Sequence, residues 1–238
     1  MKTICITQAR TGSTRLPSKV LKKINDTSIL EIHLNRIKRS KKIDKLIVAT
    51  SEETEDDKIF HLVENQNIEC YRGDEEDVLD RYYQAAKKHK PEFIVRLTSD
   101  CPLIDPNLID EIIENAVKMN IDYYSNVLNP TYPDGQDIEV VKFSALKKAW
   151  ENAKLKSDRE HVTSYIRNNS TFNGLDTFKS YNHSFKHDYS NVRLTLDYSE
   201  DFKVIRSLIN QLGRNSSWLE YTKLYLSDQK INNLNSSN

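Results

Sequence analysis

Short apolar segments alternate with helix-like periods through the first 125 residues, and this alternation restricts the fold more than any other feature of the sequence. Strand-like segments occupy residues 3–7, 45–49, 68–71, 93–97 and 122–125. Regular strand–helix alternation is typical of a parallel sheet that helices cover on both faces. Ligands bind such sheets at the carboxyl ends of the strands. We therefore predict an α/β fold with its functional site at that edge.

The intervening helices have recognisable first turns. Ser28 and Glu31 form the pattern of a capping box, Thr54 precedes a helix predicted at 55–65, and Pro106 suits the first position of another helix. A further helix is predicted at 76–88, where Val78, Leu79, Tyr82 and Ala86 share one side.

The pattern changes after residue 125. Residues 126–191 contain a Pro/Gly turn, one strand-like run, two helical runs and an aromatic-rich stretch at 171–189, which we interpret as an inserted flap. A strand signal returns at 192–196, Ser199 suits the cap of a helix at 200–212, and a last helix is predicted at 218–226. We expect one domain over residues 1–230 and a mobile polar tail over 231–238.

The loop after the first strand is basic and contains little bulk. Arg10, Arg15 and Lys19 lie within ten residues, interleaved with Gly12 and Ser13. Small residues let the backbone approach a ligand while cations surround it, which suits a polyphosphate. The order is neither a Walker loop nor a dinucleotide fingerprint. A solvated basic turn explains this segment equally well.

Two aspartates follow strand-like segments elsewhere in the chain. Asp100 comes after the strand at 93–97, and Asp197 after the one at 192–196. Each has an ordinary alternative role, as the start of an Asx-turn or as a helix cap. Set against the basic loop, the pair favours a Mg²⁺ site, because phosphoryl chemistry usually uses magnesium held by one or two carboxylates.

Overall composition excludes several classes of partner. The chain has 35 basic and 35 acidic residues, so no net field attracts nucleic acid or a membrane surface. It has no apolar run of 18 residues and no secretory signal pattern, and we expect a cytoplasmic protein. Cys5, Cys70 and Cys101 are widely spaced, which opposes a disulfide framework or a zinc cluster.

Seven segments taken together resemble the cytidylyltransferases that activate acidic sugars, including the Kdo and acylneuraminate enzymes, and most nearly the spore coat polysaccharide biosynthesis branch. The segments are QARTGSTRLPSK at 8–19, VATSEETEDD at 48–57, YRGDEEDVLDRYYQAA at 71–86, RLTSDCPLIDP at 96–106, PDGQDIEVV at 133–141, REHVTSYI at 159–166 and RLTLDYSED at 193–201. They follow the family's order and span most of the chain. Ser18, where glycine is usual, and Tyr198-Ser199, where Thr-Pro is usual, depart from the pattern.

The resemblance implies a Rossmann-like, mostly parallel sheet of the nucleotide-diphospho-sugar transferase type. It also implies that an anionic acceptor attacks the α-phosphorus of CTP, with release of pyrophosphate. The implied catalytic groups are Lys19, Arg10, Asp100 and Asp197, of which Asp100 and Asp197 would hold Mg²⁺. The implied CTP-binding residues are Gln8, Ala9, Arg10, Gly12, Ser13, Arg15, Lys19, Thr50, Ser51, Arg72, Gly73, Thr98 and Asp100. The implied acceptor-binding residues are Asp137, Glu139, Arg159 and His161.

Several alternatives remain open. The acceptor could be a phosphomonoester or phosphonate instead of a sugar acid, and a non-catalytic nucleotide-binding protein would keep the basic loop. A glycosyltransferase is a third possibility, although the Asp-x-Asp triplet is missing after the relevant strand. Relatives commonly pair through the inserted segment, so a homodimer is expected. Phe172, Phe178, Tyr181 and Phe185 suit either such an interface or a local core.

Overall fold

The computed structural model describes residues 2–236, whose main feature is a seven-stranded sheet. The strands are β1 (Thr3–Gln8), β2 (Lys23–Ile24), β3 (Thr27–Ser28), β4 (Lys45–Ser51), β5 (Glu69–Gly73), β6 (Phe93–Thr98), β7 (Tyr123–Ser125), β8 (Glu139–Lys142) and β9 (Ser180–Asn182). The helices are α1 (Ile29–Ile37), α2 (Asp57–Glu64), α3 (Val78–Lys87), α4 (Pro106–Met119), α5 (Phe143–Asn152), α6 (Lys156–Glu160), α7 (Ser164–Asn168), α8 (Ser199–Leu212), α9 (Trp218–Ser227) and α10 (Gln229–Asn232).

The main sheet has the order β5-β4-β1-β6-β8-β7-β9, and β2 pairs with β3 in a separate hairpin. β1 pairs in parallel with both β4 and β6, while β8 runs antiparallel to β6 and β7. The predicted, mostly parallel α/β sheet is therefore confirmed. Because β1 lies between β4 and β6, the loop that follows it opens at the middle of the carboxyl edge.

Successive side chains of the central strands point to opposite faces of the sheet and contribute to an apolar core on each face. Ile4 and Ile6 of β1 pack with α3, α5 and α7 on one face. Cys5 packs with α1 and α4 on the other face, where α2 also contributes. A further apolar cluster joins α8 and α9 to the segment at 192–196. Among residues 2–236, no helix has both the length and the apolar character needed to cross a bilayer.

Local signals located several elements correctly. Ser28 and Glu31 form the predicted capping box of α1, and Pro106 stands at the start of α4 behind the N-cap Asp105. Thr54 instead lies in a short 3-10 turn before α2. The N-cap of α8 is Tyr198, whose backbone N–H donates to Oδ2 of Asp201 at 2.9 Å, so the prediction that Ser199 caps this helix is wrong.

Two larger predictions need correction. Residues 192–196 do not form a sheet strand, because they make one isolated bridge, between Arg193 and Asp134, and otherwise only single backbone hydrogen bonds such as that of Leu196 to Asp100. Segment 126–191 is not simply a flap carried on the core, since β8 lies inside the main sheet between β6 and β7.

The end of the chain also differs from the expected mobile tail. Ile231 and Asn235 are buried, and the tyrosine hydroxyl of Tyr225 donates a hydrogen bond to Asn235. The prediction is therefore wrong for the described part of the tail, and residues 237–238 lie outside the described range. Ile231 and Leu234 pack against the α8–α9 cluster, and with the amide of Asn235 they anchor a segment that lacks a visible periodic pattern.

Candidate active site

Hydrogen bonds to Asp56 stabilise the conformation of the basic loop after β1. Oδ1 of Asp56 accepts hydrogen bonds from both the backbone N–H and the hydroxyl of Thr11, each at 2.7 Å. The N–H of Ser18 donates to the carbonyl of Thr11 at 3.0 Å, which closes the loop. Ser18 has φ 53°, a left-handed conformation that favours glycine. The turn therefore keeps the shape for which glycine is usual, with serine in its place.

Lys19 brings the two predicted aspartates together. Its ammonium nitrogen lies 2.9 Å from Oδ2 of Asp100 and 2.8 Å from Oδ1 of Asp197. Arg15 lies 2.9 Å from the same oxygen of Asp197, although its side chain is half exposed. Two carboxylates and two cations therefore meet at one point on the carboxyl edge of the sheet.

Backbone pairing places Asp197 beside Asp100 without a strand. The N–H of Leu196 donates to the carbonyl of Asp100 at 2.8 Å. Arg193 then binds three carboxylates, those of Asp134, Asp197 and Asp201, at 2.8 to 3.1 Å. Sequence reasoning did not assign Arg193 a role, because an arginine in an apparent strand gives no sign of its partners.

Attraction between opposite charges sets the direction of the pKa shifts of Asp100 and Lys19. Burial disfavours the charged form of each group, yet the Lys19 ammonium holds the pKa of Asp100 below its ordinary value. In the same way, Asp100 and Asp197 outweigh burial and raise the pKa of Lys19. At neutral pH the lysine is therefore cationic and Asp100 is ionised.

The carboxylate pair fits a magnesium ion bound together with substrate. Within residues 2–236 no group of three or more His, Cys, Asp or Glu side chains is arranged to hold a metal. Mg²⁺ usually keeps several waters and uses only one or two carboxylates plus substrate phosphates, so two aspartates suffice. Both carboxylates already contact one cation, the Lys19 ammonium, which shows that they can share a positive charge.

A cavity of about 530 Å³ extends from this cluster along the carboxyl edge. Eleven of the predicted residues line it: Gln8, Ala9, Arg10, Gly12, Ser13, Arg15, Lys19, Thr98, Asp100, His161 and Asp197. The cavity is also lined by residues without a predicted role in the site, among them Glu75, Glu76, Arg81, Lys156 and Glu160. Its lining is mostly polar and charged, as a triphosphate requires.

Four predicted CTP-binding residues, Thr50, Ser51, Arg72 and Gly73, are outside the set that lines this cavity. The hydroxyl of Ser51 donates to Oδ2 of Asp56 at 2.5 Å. Ser51 therefore supports the basic loop indirectly, through the carboxylate that binds Thr11. Arg72 donates to Asp57 at 2.6 Å and to the carbonyl of Ser51 at 2.9 Å. Arg72 therefore joins β5 to β4 and α2, and its guanidinium is already engaged.

Two predicted acceptor-binding residues are likewise engaged elsewhere. Glu139 is buried against the guanidinium of Arg96 and the hydroxyl of Tyr123. Arg159 binds both carboxylate oxygens of Asp77 and the carbonyl of Trp150, which attaches α6 to α3 and α5. Both contacts are explained by packing, so neither side chain is available to an acceptor in this arrangement.

Asp137 differs from these because no described side chain forms an ion pair with it. Burial, reinforced by Asp134, Glu139 and Asp100, raises the pKa of its carboxyl to about 7. Asp137 is outside the residues that line the cavity, whereas His161 lines it directly. Of the four predicted acceptor-binding residues, only His161 therefore faces the cavity.

Comparisons with known proteins agree with this geometry. A cytidylyltransferase family model matches residues 4–231. An uncharacterised protein of Methanocaldococcus jannaschii is 44% identical over 210 residues, covering 87% of this chain and 83% of the relative. The spore coat polysaccharide biosynthesis protein SpsF of Bacillus subtilis is 36% identical over 213 residues, covering 87% and 86%.

A solved structure resembles the whole chain. The structure of a cytidylyltransferase from Leptospira borgpetersenii has a TM-score of 0.90 and 33% sequence identity, and the match covers 97% of this chain and 96% of that one. The basic loop, the cavity and the paired aspartates thus occur on the fold of known relatives. The chain belongs to the cytidylyltransferase family of CTP-dependent nucleotidyltransferases.

Proposed function

We propose that the enzyme transfers CMP from CTP to an acidic sugar, or a similar anionic acceptor, for surface polysaccharide or glycoconjugate biosynthesis. The main support is the meeting of Lys19, Asp100 and Asp197 at one end of the lined cavity. The likeness to a spore coat polysaccharide biosynthesis protein supports the polysaccharide role. The free thiols of Cys5, Cys70 and Cys101 support a reducing compartment, the cytoplasm, as the place of action.

In the proposed reaction the hydroxyl oxygen of the acceptor forms a bond to the α-phosphorus and its proton passes to water. The bond from the α-phosphorus to the oxygen that bridges to the β-phosphorus breaks, and pyrophosphate leaves. Magnesium on Asp100 and Asp197 would neutralise phosphate charge and act as a Lewis acid. The ammonium of Lys19 and the guanidinium groups of Arg10 and Arg15 would offset the charge that grows on departing pyrophosphate. No nucleophile from the protein is required, because orientation and charge stabilisation supply the catalysis.

The acceptor side of the cavity supports an anionic substrate. Lys156 and His161, on and directly after α6, line the cavity. Lys156 lies 3.0 Å from Glu76, and both side chains are largely exposed, so the ammonium is easily diverted to a ligand. Phosphomonoester and phosphonate acceptors have the same charge and remain the second candidates.

A homodimer is part of the proposal. Phe172, Leu175 and Tyr181 are about half exposed, and Tyr181 belongs to β9 at the edge of the sheet. Phe178 instead packs against Tyr165 within the inserted segment, and Phe185 packs against Trp218 of α9. Light scattering should give twice the monomer mass, and Phe172→Glu with Tyr181→Glu should halve it. A monomeric parent protein would contradict this part.

The test of the reaction is a pyrophosphate-release assay with CTP, UTP, ATP and GTP against sugar acids, phosphomonoesters and phosphonates. We expect release with CTP, a sugar acid and Mg²⁺, and its loss when the metal is chelated. Asp100→Asn is expected to fold normally but to lose most turnover, because a neutral amide is a poor magnesium ligand. No release with any acceptor, or normal turnover in Asp100→Asn, would contradict the proposal.

A further inference from the structure

Arg81 is a buried cation for which the described residues provide no ion pair. It lies on α3, its side chain is only 2% exposed, and it lines the cavity. Its Nε and Nη1 atoms have no hydrogen-bond partner among residues 2–236, and Nη2 is 3.4 Å from the carbonyl of Glu75. An unpaired buried charge is costly, so a ligand that accepts hydrogen bonds here would relieve a defect of the free protein.

The position of Arg81 separates it from the reacting phosphorus. A Cβ added to Gly73, at the end of β5, would lie 3.0 Å from Cγ of Arg81, so the arginine covers that strand end. Asp100 instead follows β6, three strand positions away in the order β5-β4-β1-β6. At roughly 4.8 Å per strand this is a separation of about 14 Å. The cavity therefore has a carboxylate end and an Arg81 end.

These observations assign a part of CTP to each end. The triphosphate belongs with Lys19 and the basic loop, which leaves the base for the Arg81 end. A guanidinium only donates hydrogen bonds, and its outer N–H groups form a rigid fork that matches two neighbouring acceptors. Cytosine presents such a pair, N3 and O2, whereas N3 of uracil bears a hydrogen and donates.

We propose that Arg81 reads the base of CTP, with Nη1 and Nη2 donating to N3 and O2 of cytosine. The assignment rests on CTP being the substrate and names the residue that selects it over UTP. UTP would leave at least one donor of the buried guanidinium facing another donor. Such a site distinguishes CTP from UTP through the free-energy cost of leaving a buried donor unpaired. The size of the base does not provide the selectivity.

An exposed ion pair lines the same cavity as Arg81 and includes Glu75, whose carbonyl is 3.4 Å from Nη2 of Arg81. Arg10 and Glu75 are joined at 3.2 Å, and both side chains are well exposed, so the pair is weak. A Cβ on Gly12 would lie 3.1 Å from Oε1 of Glu75, which shows how closely that carboxylate approaches the loop. Separation of this pair, as Arg10 turns to the triphosphate, uncovers the guanidinium for the base.

The experiment measures binding without turnover, by calorimetry with CTP, UTP, 3-deaza-CTP and inorganic tripolyphosphate in the presence of Mg²⁺. In 3-deaza-CTP a C–H replaces N3, so the ligand alone removes the proposed acceptor. The parent protein should bind CTP about 10- to 100-fold more tightly than 3-deaza-CTP or UTP. Arg81→Met should lose most of this ratio while its affinity for tripolyphosphate stays unchanged.

The matched control is Arg15→Met, which should weaken CTP, UTP and tripolyphosphate together. Arg81→Lys keeps the charge without the fork and should also lose the ratio of CTP to 3-deaza-CTP, in case the methionine variant does not fold. An equal loss for all nucleotides and tripolyphosphate in Arg81→Met would overturn the proposal in favour of phosphate binding. Equal affinity of the parent protein for CTP and 3-deaza-CTP would also overturn it. Failure to bind CTP at all would overturn the proposed function itself.

Discussion

The ammonium of Lys19 lies 2.8 Å from Oδ1 of Asp197, although 178 positions separate the two residues in the sequence. The same nitrogen is 2.9 Å from Asp100, so one cation from the first loop balances carboxylates from two other segments. Its side chain is only 13% exposed, which limits the competition from water. Lys19 thus connects the basic loop after β1 to the proposed magnesium site.

Replacing Lys19 by methionine should lower kcat/KM for CTP by about 100-fold, because one buried donor to the transition-state charge is lost. The pKa of Asp100 should rise in this variant, since the ammonium now holds it down. Steady-state pyrophosphate release measures the first effect. Lys23→Met, an exposed lysine nearby, serves as the control and should keep parent kinetics. A Lys19→Met enzyme with unchanged kcat/KM would show that this lysine only neutralises the aspartates.

Replacing Asp137 by asparagine should stabilise the protein at neutral pH in the absence of metal. The folded-state pKa of Asp137 is raised to about 7, so the folded protein binds its proton more tightly than the unfolded chain does. The free energy of unfolding therefore falls as pH rises from about 4 to 7. Asparagine removes that loss of unfolding free energy, which is on the order of 4 kcal/mol for a carboxyl raised from its ordinary value to about 7. Thermal melts at pH 5 and pH 8 should show a larger gain at pH 8, and a gain independent of pH would contradict the shift.

Replacing Gly135 by alanine should destabilise the turn that supports the segment ending at Asp197. Gly135 has φ 106°, and a Cβ there would lie 2.7 Å from the backbone carbon of Leu194. This turn holds Asp134 against Arg193, so the collision would displace the segment that ends at Asp197. We expect a loss of about 2 kcal/mol or more and reduced CTP turnover. Gly213→Ala is the matched control, because it has φ 78° but no atom within 4 Å. Equal losses in the two variants would attribute the effect to φ alone.

The sequence was sufficient for the parts of the site that depend on local chemistry. A strand followed by Arg10, Arg15 and Lys19 identified the loop, and Asp100 after β6 identified one carboxylate. Lys19 and Asp100 meet because a parallel sheet places its strand ends at one edge. Asp197 reaches the same point without the predicted strand, since the segment before it is an extended connection held by backbone hydrogen bonds to Asp100 and Asp134.

The residues that could not be predicted depend on long-range packing. Arg72 was expected at the nucleotide because it follows a strand, but its guanidinium is taken by Asp57 and Ser51. The role of Arg81 is not visible in the sequence, because helical periodicity places it beside buried apolar residues without showing that it also reaches a cavity. Whether a charged side chain is free or engaged is decided by partners far apart in sequence, which periodicity does not reveal.

Replacing Asn235 by alanine should weaken the response of the enzyme to magnesium. Asn235 lies beyond the end of the family match at residue 231, yet its amide donates to Oδ1 of Asp201 at 3.0 Å and to the carbonyl of Arg193 at 3.2 Å. Asp201 in turn accepts the N–H of Asp197 at 2.9 Å. Loss of the amide should loosen Asp201 and, through it, the Asp197 carboxylate. We expect the Mg²⁺ concentration for half-maximal rate to rise about 3- to 10-fold, since each such bond contributes about 1 kcal/mol.

Asn233→Ala is the control for that prediction, because Asn233 is exposed on the same short segment. It should leave both the melting temperature and the magnesium response unchanged. The two readouts separate positioning from simple support of the fold, because a residue that only anchors the chain end lowers the melting temperature without altering the metal dependence. An Asn235→Ala enzyme that melts earlier but keeps the parent magnesium curve would therefore contradict the coupling of the chain end to Asp197.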